Sequence, residues 1–167
     1  MRTLLQPQFE AFLDIETTGL SFRYSEITVI GIHLHNLVTS RFVQLVGKDI
    51  TADNILDVLG GVDVIYTYNG SRFDLPFISY RLGIDLAQIF KHHDLMYDCW
   101  RNGLKGGLKR VECHLGIERS LRGISGYDAV RLWWKYIDEC SEDALSLLLF
   151  YNKEDVLNLR ILKQMLL

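Results

Sequence analysis

The sequence predicts a single α/β domain, spanning residues 1–167, in which helices flank a mixed sheet. Segments with the composition of strands come first in the chain, and segments with helical periodicity fill its second half. A predicted helix also separates the third strand from the fourth. Such a crossover lets the fourth strand run parallel to the first, which adds parallel pairing to an antiparallel start.

Three strands are predicted in the first quarter of the chain. The first is a short apolar run that starts at Phe9, too short to suit a helix. The second and third, 26–35 and 40–46, are rich in Val, Ile and Thr. Because only four residues link these two, a hairpin is expected, and all three strands should pair antiparallel.

The remaining elements alternate at first and then become helical. A short amphipathic helix over 51–59 ends at a Gly-Gly pair, and a buried strand follows over 62–68. Pro76 suits the first turn of the next helix, where a missing N–H is tolerated. The other predicted elements are a stop of that helix at Gly83, an edge strand over 92–96, a glycine-containing mobile connection, and helices over 108–115, 128–139 and 141–166.

The composition is that of a globular protein, with 49% hydrophobic and 23% charged residues. No apolar run approaches the roughly 18 residues of a membrane span, and the N-terminus lacks a signal-peptide pattern, so a cytoplasmic protein without membrane contact is expected. Three cysteines, Cys99, Cys113 and Cys140, form no Cys-x-x-Cys pair. They predict neither a disulfide framework nor a zinc site, and core thiols are expected.

Two carboxylates stand at the end of the first strand. Because side chains alternate along a strand, Asp14 and Glu16 point to the same side. Two ionised carboxylates this close repel each other, by roughly 4 kcal/mol at 4 Å in an effective dielectric of about 20. A divalent cation such as Mg²⁺ or Mn²⁺ would offset that repulsion. Two solvated acids at a strand end are the alternative interpretation.

Further acids follow two other predicted elements. Asp74 lies in the first turn of the helix after the buried strand, which places it at the same sheet edge as Asp14 if the two strands are parallel. It can also be a simple helix-start acid. In the last helix Tyr151 and Asp155 are four residues apart and share one face. That face can equally be part of a leucine-rich packing surface.

These residues together resemble the three motifs of the DEDD superfamily of 3′→5′ exonucleases, in its tyrosine-containing branch. The motifs are Asp14-Ile-Glu16-Thr-Thr-Gly, Asn69-x-x-x-Phe73-Asp74 and Tyr151-x-x-x-Asp155. The spacing of the second motif is similar to that of family-B polymerase proofreading domains. The segment 115–136 resembles the YprB-like ribonuclease-H-like predicted exonucleases. A ribonuclease-H-like fold over nearly the whole chain is what this resemblance implies.

The resemblance also implies roles for the motif residues. Asp14, Glu16 and Asp155 would bind a first metal ion, with Asp14 bridging to a second and Asp74 helping through water. Tyr151 would position the attacking water. General chemistry agrees, because two divalent cations, Mg²⁺ or Mn²⁺, can activate water and stabilise a leaving oxygen in phosphodiester hydrolysis.

Substrate contacts are predicted around the motifs. By the same resemblance, the backbone after the first motif holds the terminal nucleotide, which makes Thr18 and Leu20 candidate contacts. A turn hydroxyl and a core leucine are the alternatives. Asn69 is a further candidate contact, or a residue that holds its turn. Phe73 is expected in the core.

A basic segment lies within an otherwise acidic chain of net charge −3. Residues 101–122 contain six basic and two acidic residues, a net charge of +4. Lys109 and Arg110 in this segment are candidates for gripping phosphates, although a solvated surface has the same composition. Trp100, Trp133 and Trp134 can stack on bases when exposed, but a packed core is the expected environment.

The leading hypothesis is a metal-dependent 3′→5′ exonuclease that acts on single-stranded DNA or RNA ends, with a protein partner as a possible source of specificity. An inactive nucleic-acid-binding or interaction module of the same fold is one alternative, and a structure-specific endonuclease is another. Retention of all four acids and the tyrosine favours the enzyme.

Overall fold

The computed structural model describes residues 8–167, and these form five strands and seven α-helices. The strands are β1 (Phe9–Thr17), β2 (Ile27–His35), β3 (Ser40–Val46), β4 (Val62–Thr67) and β5 (Lys91–Asp94). The helices are α1 (Ala52–Val58), α2 (Asp74–Leu82), α3 (Leu86–Ile89), α4 (Leu95–Arg101), α5 (Leu108–Leu115), α6 (Gly126–Glu139) and α7 (Glu142–Leu166).

The strands form one mixed sheet in the order β3-β2-β1-β4-β5. Strands β1, β2 and β3 pair antiparallel, whereas β4 pairs parallel to β1, and β5 pairs parallel to β4. The predicted mixed α/β fold class is therefore confirmed. Because β1, β4 and β5 run in one direction, their carboxyl ends meet at a single edge of the sheet.

Alternation along β1 divides the core into two layers. Leu13 and Ile15 pack with residues of α1 and α2 on one face of the sheet. Phe12 packs on the opposite face with Val156 and Leu159 of α7. Asp14 and Glu16 share the side of Phe12, so the strand presents both carboxylates toward α7.

The element boundaries differ from the sequence prediction mainly around β5. That strand ends at Asp94 rather than residue 96, because the Asp94 carboxylate accepts a hydrogen bond from Met96 N (3.1 Å) and starts α4. Asp85 begins α3 in the same way, through Ala87 N. Neither short helix was expected.

Exposure differs from the sequence prediction at two cysteines and two tryptophans. The cysteine prediction was wrong for two residues, because Cys113 and Cys140 are exposed and only Cys99 is buried. Trp100 and Trp134 are 38% and 46% exposed, which differs from the expected core environment. None of the helices between residues 8 and 167 is long and apolar enough to cross a membrane.

Candidate active site

Three carboxylates converge where β1 meets α7. One carboxylate oxygen from each of Asp14, Glu16 and Asp155 lies within 4.8 Å of the others. The first two residues share a side of β1, and Asp155 projects from α7, which packs across that side. We call these three residues the carboxylate cluster. It unites the first and third of the predicted acidic motifs.

A neutral amide fixes the first member of the carboxylate cluster. Asn152 Nδ2 donates to Asp14 Oδ2 (3.2 Å) and to the Asp14 carbonyl (3.3 Å). Gln44 Nε2 in turn donates to Asn152 Oδ1 (2.9 Å) and to the Leu149 carbonyl (2.8 Å). Because Gln44 occupies the amide oxygen, the amide N–H groups of Asn152 point at Asp14.

This arrangement requires a glycine in the neighbouring strand. Gly31 lies opposite Asp14 in the β1–β2 register. A Cβ at this position would come within 2.2 Å of Asn152 Oδ1 and 2.8 Å of Val156 Cγ2. Gly31 therefore lets α7 approach the sheet closely enough for its amide to reach Asp14.

A buried cation contacts the last member of the carboxylate cluster. Arg119 Nη2 lies 2.6 Å from Asp155 Oδ1. Arg119 Nη1 donates to both oxygens of the fully buried Glu112, at 2.9 and 2.8 Å. Asn158 Nδ2 donates to the same carboxylate (2.9 Å). The Arg119 guanidinium thus balances two buried carboxylates, as buried charges require.

Glu154 takes no part in the carboxylate cluster. Its carboxylate accepts hydrogen bonds from the backbone N–H groups of Ser120 and Leu121. It therefore holds the loop that carries Arg119. The geometry thus separates Glu154 from its neighbour Asp155, the acid that the third motif indicates.

Burial gives the carboxylate cluster unusual proton affinities. Desolvation, followed by repulsion from neighbouring carboxylates, raises the pKa values of Asp14 and Glu16 well above their ordinary range. Burial also raises the pKa of Asp155 to about 6, although Arg119 opposes that rise. Glu16 Oε1 is buried and has no hydrogen-bond partner among the described residues.

These features fit a divalent cation. All the converging atoms are hard carboxylate oxygens, the ligands that Mg²⁺ and Mn²⁺ prefer. A cation would satisfy Glu16 Oε1 and offset the repulsion that raises the pKa values. The described residues thus form an acidic triad able to bind a metal ion.

Asp74 lies beside the carboxylate cluster but contacts the backbone of β1. Its Oδ1 accepts a hydrogen bond from Ile15 N (3.1 Å), between the two acids of the first motif. Burial raises the pKa of Asp74 to about 7. The position at the carboxyl edge agrees with the prediction from parallel strands, and the hydrogen bond gives Asp74 a part in positioning β1.

Tyr151 shares its face of α7 with Asp155 and contacts a lysine. Lys109 Nζ donates to the Tyr151 hydroxyl and to the Ile124 carbonyl (2.6 Å). Because an ammonium has only donors, the Tyr151 proton is directed elsewhere. Burial, and then the Asp155 charge, raise the pKa of Tyr151, so the hydroxyl stays protonated. Burial lowers the pKa of Lys109.

A comparison with known protein families identifies the superfamily of this chain. The family model for the RNase H superfamily matches residues 11–167. The chain belongs to the RNase H superfamily. A comparison with curated protein sequences found no match.

Solved structures support this RNase H-like fold at low sequence identity. The chain is similar to the family B DNA polymerase of Pyrobaculum calidifontis (TM-score 0.65, 18% identity), covering 90% of this chain and 23% of the polymerase. It is similar to a nuclease in its apo form (TM-score 0.60, 21% identity), covering 97% of this chain and 72% of the nuclease. A third similar structure is Brucella melitensis NrnC bound to pGG (TM-score 0.50, 16% identity), covering 90% of this chain and 85% of NrnC. The chain thus spans about a quarter of the polymerase.

The RNase H-like domain has a cleft of about 560 Å³ over the carboxylate cluster. Thr18, Leu20 and Asn69 line this cleft, as does Phe73. Leu20 is 89% exposed, so it is not a core leucine. Thr18 Oγ1 accepts a hydrogen bond from Glu26 N (2.9 Å), which fits the alternative of a turn hydroxyl.

The two basic candidates separate in the structure. Lys109 is engaged with Tyr151 beside the cleft, whereas Arg110 is exposed and lines a different cavity. Their roles in binding substrate stay predictions.

Several residues of the site were not predicted from the sequence. They are Arg119, Asn152, Gln44, Gly31 and Tyr127, which is 73% exposed and lines the cleft from the start of α6. Asn152 adjoins Tyr151 within the third motif, the one signal that could have pointed to it. Arg119 and Tyr127 lie in the segment 115–136, which the family resemblance covers without assigning a role, and Gln44 and Gly31 are distant in sequence from the residues they support.

Proposed function

We propose that this RNase H superfamily protein is a metal-dependent 3′→5′ exonuclease that hydrolyses phosphodiester bonds at single-stranded nucleic-acid ends. The convergence of Asp14, Glu16 and Asp155 at the bottom of an open cleft is the observation that carries the proposal. A nuclease of this fold needs closely spaced carboxylates beside a surface that a strand can reach.

Each residue of the site would have a distinct task. Asp14, Glu16 and Asp155 would hold two divalent cations, Mg²⁺ or Mn²⁺. Bound cations would supply activation of a water molecule and stabilisation of the leaving 3′ oxygen. Asp74 would keep β1 in place through Ile15 N and assist through water. The protonated Tyr151 hydroxyl, with its oxygen accepting from Lys109, would donate to the attacking water and so orient it.

The rim of the cleft favours attack at a chain end. Exposed Leu20 and Tyr127 stand at the rim, and Asn69 and Phe73 belong to the turn that follows β4. Apolar and aromatic groups of this kind can pack against the terminal base of an unpaired strand. Thr18 would contribute its backbone carbonyl, because its N–H donates to the Glu26 carbonyl (2.9 Å) and its Oγ1 accepts from Glu26 N.

Digestion of single-stranded oligonucleotides tests the proposal. DNA and RNA strands of the same sequence, labelled at the 5′ end, would be incubated with Mg²⁺, Mn²⁺ or chelator. We expect a metal-dependent ladder that shortens from the 3′ end. Internal fragments from the first time points would instead indicate an endonuclease. Uncut strands in both metals, from folded protein, would contradict hydrolysis and favour a binding module.

Glu16→Gln is the sharpest variant for this assay. The substitution keeps the side-chain shape, and Oε1 has no hydrogen bond among residues 8–167 that the change would break. We expect loss of the ladder with an unchanged fold. Glu139→Gln, at an exposed site near the end of α6, is the matched control and should retain full activity. Full activity of Glu16→Gln would refute the metal-site assignment.

A further inference from the structure

An aromatic and cationic surface lies next to the cleft, outside the carboxylate cluster. It consists of Arg72, Tyr97 and Trp100, and we call it the Arg72 patch. The Tyr97 and Trp100 rings meet edge to face, with centroids 5.4 Å apart and planes at 89°. The Arg72 guanidinium lies 5.4 Å from the Trp100 ring and 6.0 Å from the Tyr97 ring.

The charge of the Arg72 patch is available to a ligand. Arg72 forms no ion pair with any described residue, in contrast to Arg101 nearby, which pairs with Asp98. Arg72 is exposed, and Trp100 exposes 38% of its surface. A guanidinium without an ion pair among the described residues, lying over the half-buried Tyr97 ring and the exposed Trp100 ring, offers both a phosphate contact and a stacking surface.

A single buried carboxylate holds the parts of the patch together. Asp94 accepts hydrogen bonds from Asn69 N (2.7 Å) and from Ser71 N (3.0 Å) and Oγ (2.6 Å). It also accepts from Met96 N at the start of α4, the helix that carries Tyr97 and Trp100. The turn before Arg72 and the aromatic helix are therefore fixed relative to each other.

The same turn connects the patch to the cleft. Asn69 lines the cleft and has the left-handed backbone conformation (φ 61°) that asparagine tolerates. Arg72 N donates to the Asn69 carbonyl (3.2 Å), so one tight turn separates a cleft residue from the patch. Phe73, the next residue, lines the cleft again.

We infer that the Arg72 patch binds the nucleotides of a single-stranded nucleic acid that lie 5′ to the nucleotide held in the cleft. Bases would stack on Trp100 and Tyr97, and Arg72 would contact a phosphate. Unpaired strands are bound in this way, by aromatic rings and neighbouring cations, without preference for sequence. The inference rests on the proposed function for the direction of the strand but not for the binding itself.

Binding measured in chelator tests the patch independently of hydrolysis. Fluorescence anisotropy would follow a labelled 12-nucleotide and a labelled 3-nucleotide single strand. Trp100→Ala should weaken binding of the longer strand about tenfold. The short strand, which the cleft can hold alone, should bind as it does to the wild-type protein. Trp100→Phe, which keeps an aromatic ring, should restore most of the affinity.

Arg72→Gln should weaken binding and lower the salt dependence. The slope of log affinity against log salt concentration should fall by about 0.7 for one lost phosphate contact. The matched controls are Trp134→Ala and Arg131→Gln on α6, both at exposed positions that do not line the cleft. They should leave affinity and slope within twofold of the wild-type values.

The outcomes separate the patch from the exonuclease proposal. Unchanged affinity in both Trp100→Ala and Arg72→Gln, with a wild-type protein that hydrolyses, would overturn the patch alone. The expected losses, with a wild-type protein that binds without hydrolysis, would support the patch and overturn the exonuclease. Equal losses in the controls, or no binding of either strand by the wild-type protein, would also overturn the patch.

Discussion

Asp14 and Asp155 contribute oxygens to the same carboxylate cluster, yet Asp14 contacts a neutral amide and Asp155 contacts a buried guanidinium. The amide of Asn152 fixes the position of Asp14 without adding charge. Arg119 offsets the charge of Asp155 and, through Glu112, ties it to α5. The site therefore holds one carboxylate with a neutral hydrogen bond and the other with an ion pair.

The two arrangements have different consequences when no cation is bound. Desolvation and the acidic neighbours raise the pKa of Asp14 well above the ordinary range, and only the hydrogen bond from the neutral Asn152 amide opposes that rise. Asp155 has a pKa of about 6, because Arg119 opposes the effect of burial. Replacing Asp14 by a neutral residue should therefore stabilise the folded protein. Replacing Asp155 should destabilise it, because Arg119 would lose one of its two carboxylate partners.

The largest expected effect is on turnover. Asp14→Asn and Asp155→Asn should each lower it about 10³-fold, because each removes a carboxylate proposed to bind the metal ions. In chelator at pH 8 their stabilities should move oppositely. Asp14→Asn should raise the free energy of unfolding by about 1 kcal/mol, and Asp155→Asn should lower it by about 2 kcal/mol. Urea unfolding measures both, and shifts of the same sign would contradict the comparison.

Arg119 itself offers the next largest effect. Arg119→Met should lower the free energy of unfolding by about 3 kcal/mol, because it leaves Glu112 buried and without its cation. Arg122→Met, at an exposed position in the same loop, should change stability by less than about 0.5 kcal/mol. Equal effects of the two variants in chemical denaturation would show that the buried ion pairs are unimportant.

The pH dependence of stability is a third test. Asp74 has a pKa of about 7 in the folded protein, raised by burial from an ordinary value of 3.8. The folded state therefore binds more protons than the unfolded state, and stability is lost as pH rises through 7. Because this loss levels off above the folded pKa, Asp74 should account for roughly 0.8 kcal/mol of the unfolding free energy that the metal-free protein loses between pH 6.5 and 8.5.

Two comparisons isolate this effect. The pKa of His33 is lowered by burial to about 4, so this histidine stabilises the protein as pH rises only up to about 6.5 and contributes little above it. Asp74→Asn should remove the Asp74 share, roughly 0.8 kcal/mol, from the loss between pH 6.5 and 8.5. A profile of unchanged slope in that variant would assign the pH dependence to other groups.

A last expected effect, on metal affinity rather than on stability, concerns the contact that supports Asp14. Gly31→Ala would push a methyl group into Asn152 and should weaken Mn²⁺ binding about tenfold, a typical cost of disturbing a residue that orients a metal ligand. Isothermal titration calorimetry measures the affinity. Gly107→Ala, where an added Cβ meets no atom within 4 Å, is the control. Equal affinities would show that Asn152 can adjust.

The parts of the site that could be predicted depend on local patterns. Alternation on a strand placed Asp14 and Glu16 on one side, and the spacing of four placed Tyr151 and Asp155 on one helix face. Parallel strands placed Asp74 near the same edge. Each of these inferences needs only the geometry of one element or of one crossover, which a short sequence pattern specifies.

The residues that were missed depend on distant partners. Gln44 contacts Asn152 across 108 positions of the chain, and Asn152 contacts Asp14 across 138. Arg119 lies in a segment whose charge resembles a solvated surface, and only the fold shows that it is buried. The start of α4 was missed for a different reason. Asp94 lies in a polar run, where an aspartate is compatible both with the end of a strand and with the N-cap of a helix.

Helix α7 has a consequence for motion within the site. Tyr151, Asn152 and Asp155 project from one continuous helix of 25 residues, about 37 Å long at 1.5 Å per residue. A rigid rod of this length moves these three side chains together or not at all. In the proposed exonuclease, accommodation of different nucleotides would therefore fall to the connecting segments that carry Leu20 and Arg119, and the timescale of turnover would follow the loops rather than the helix.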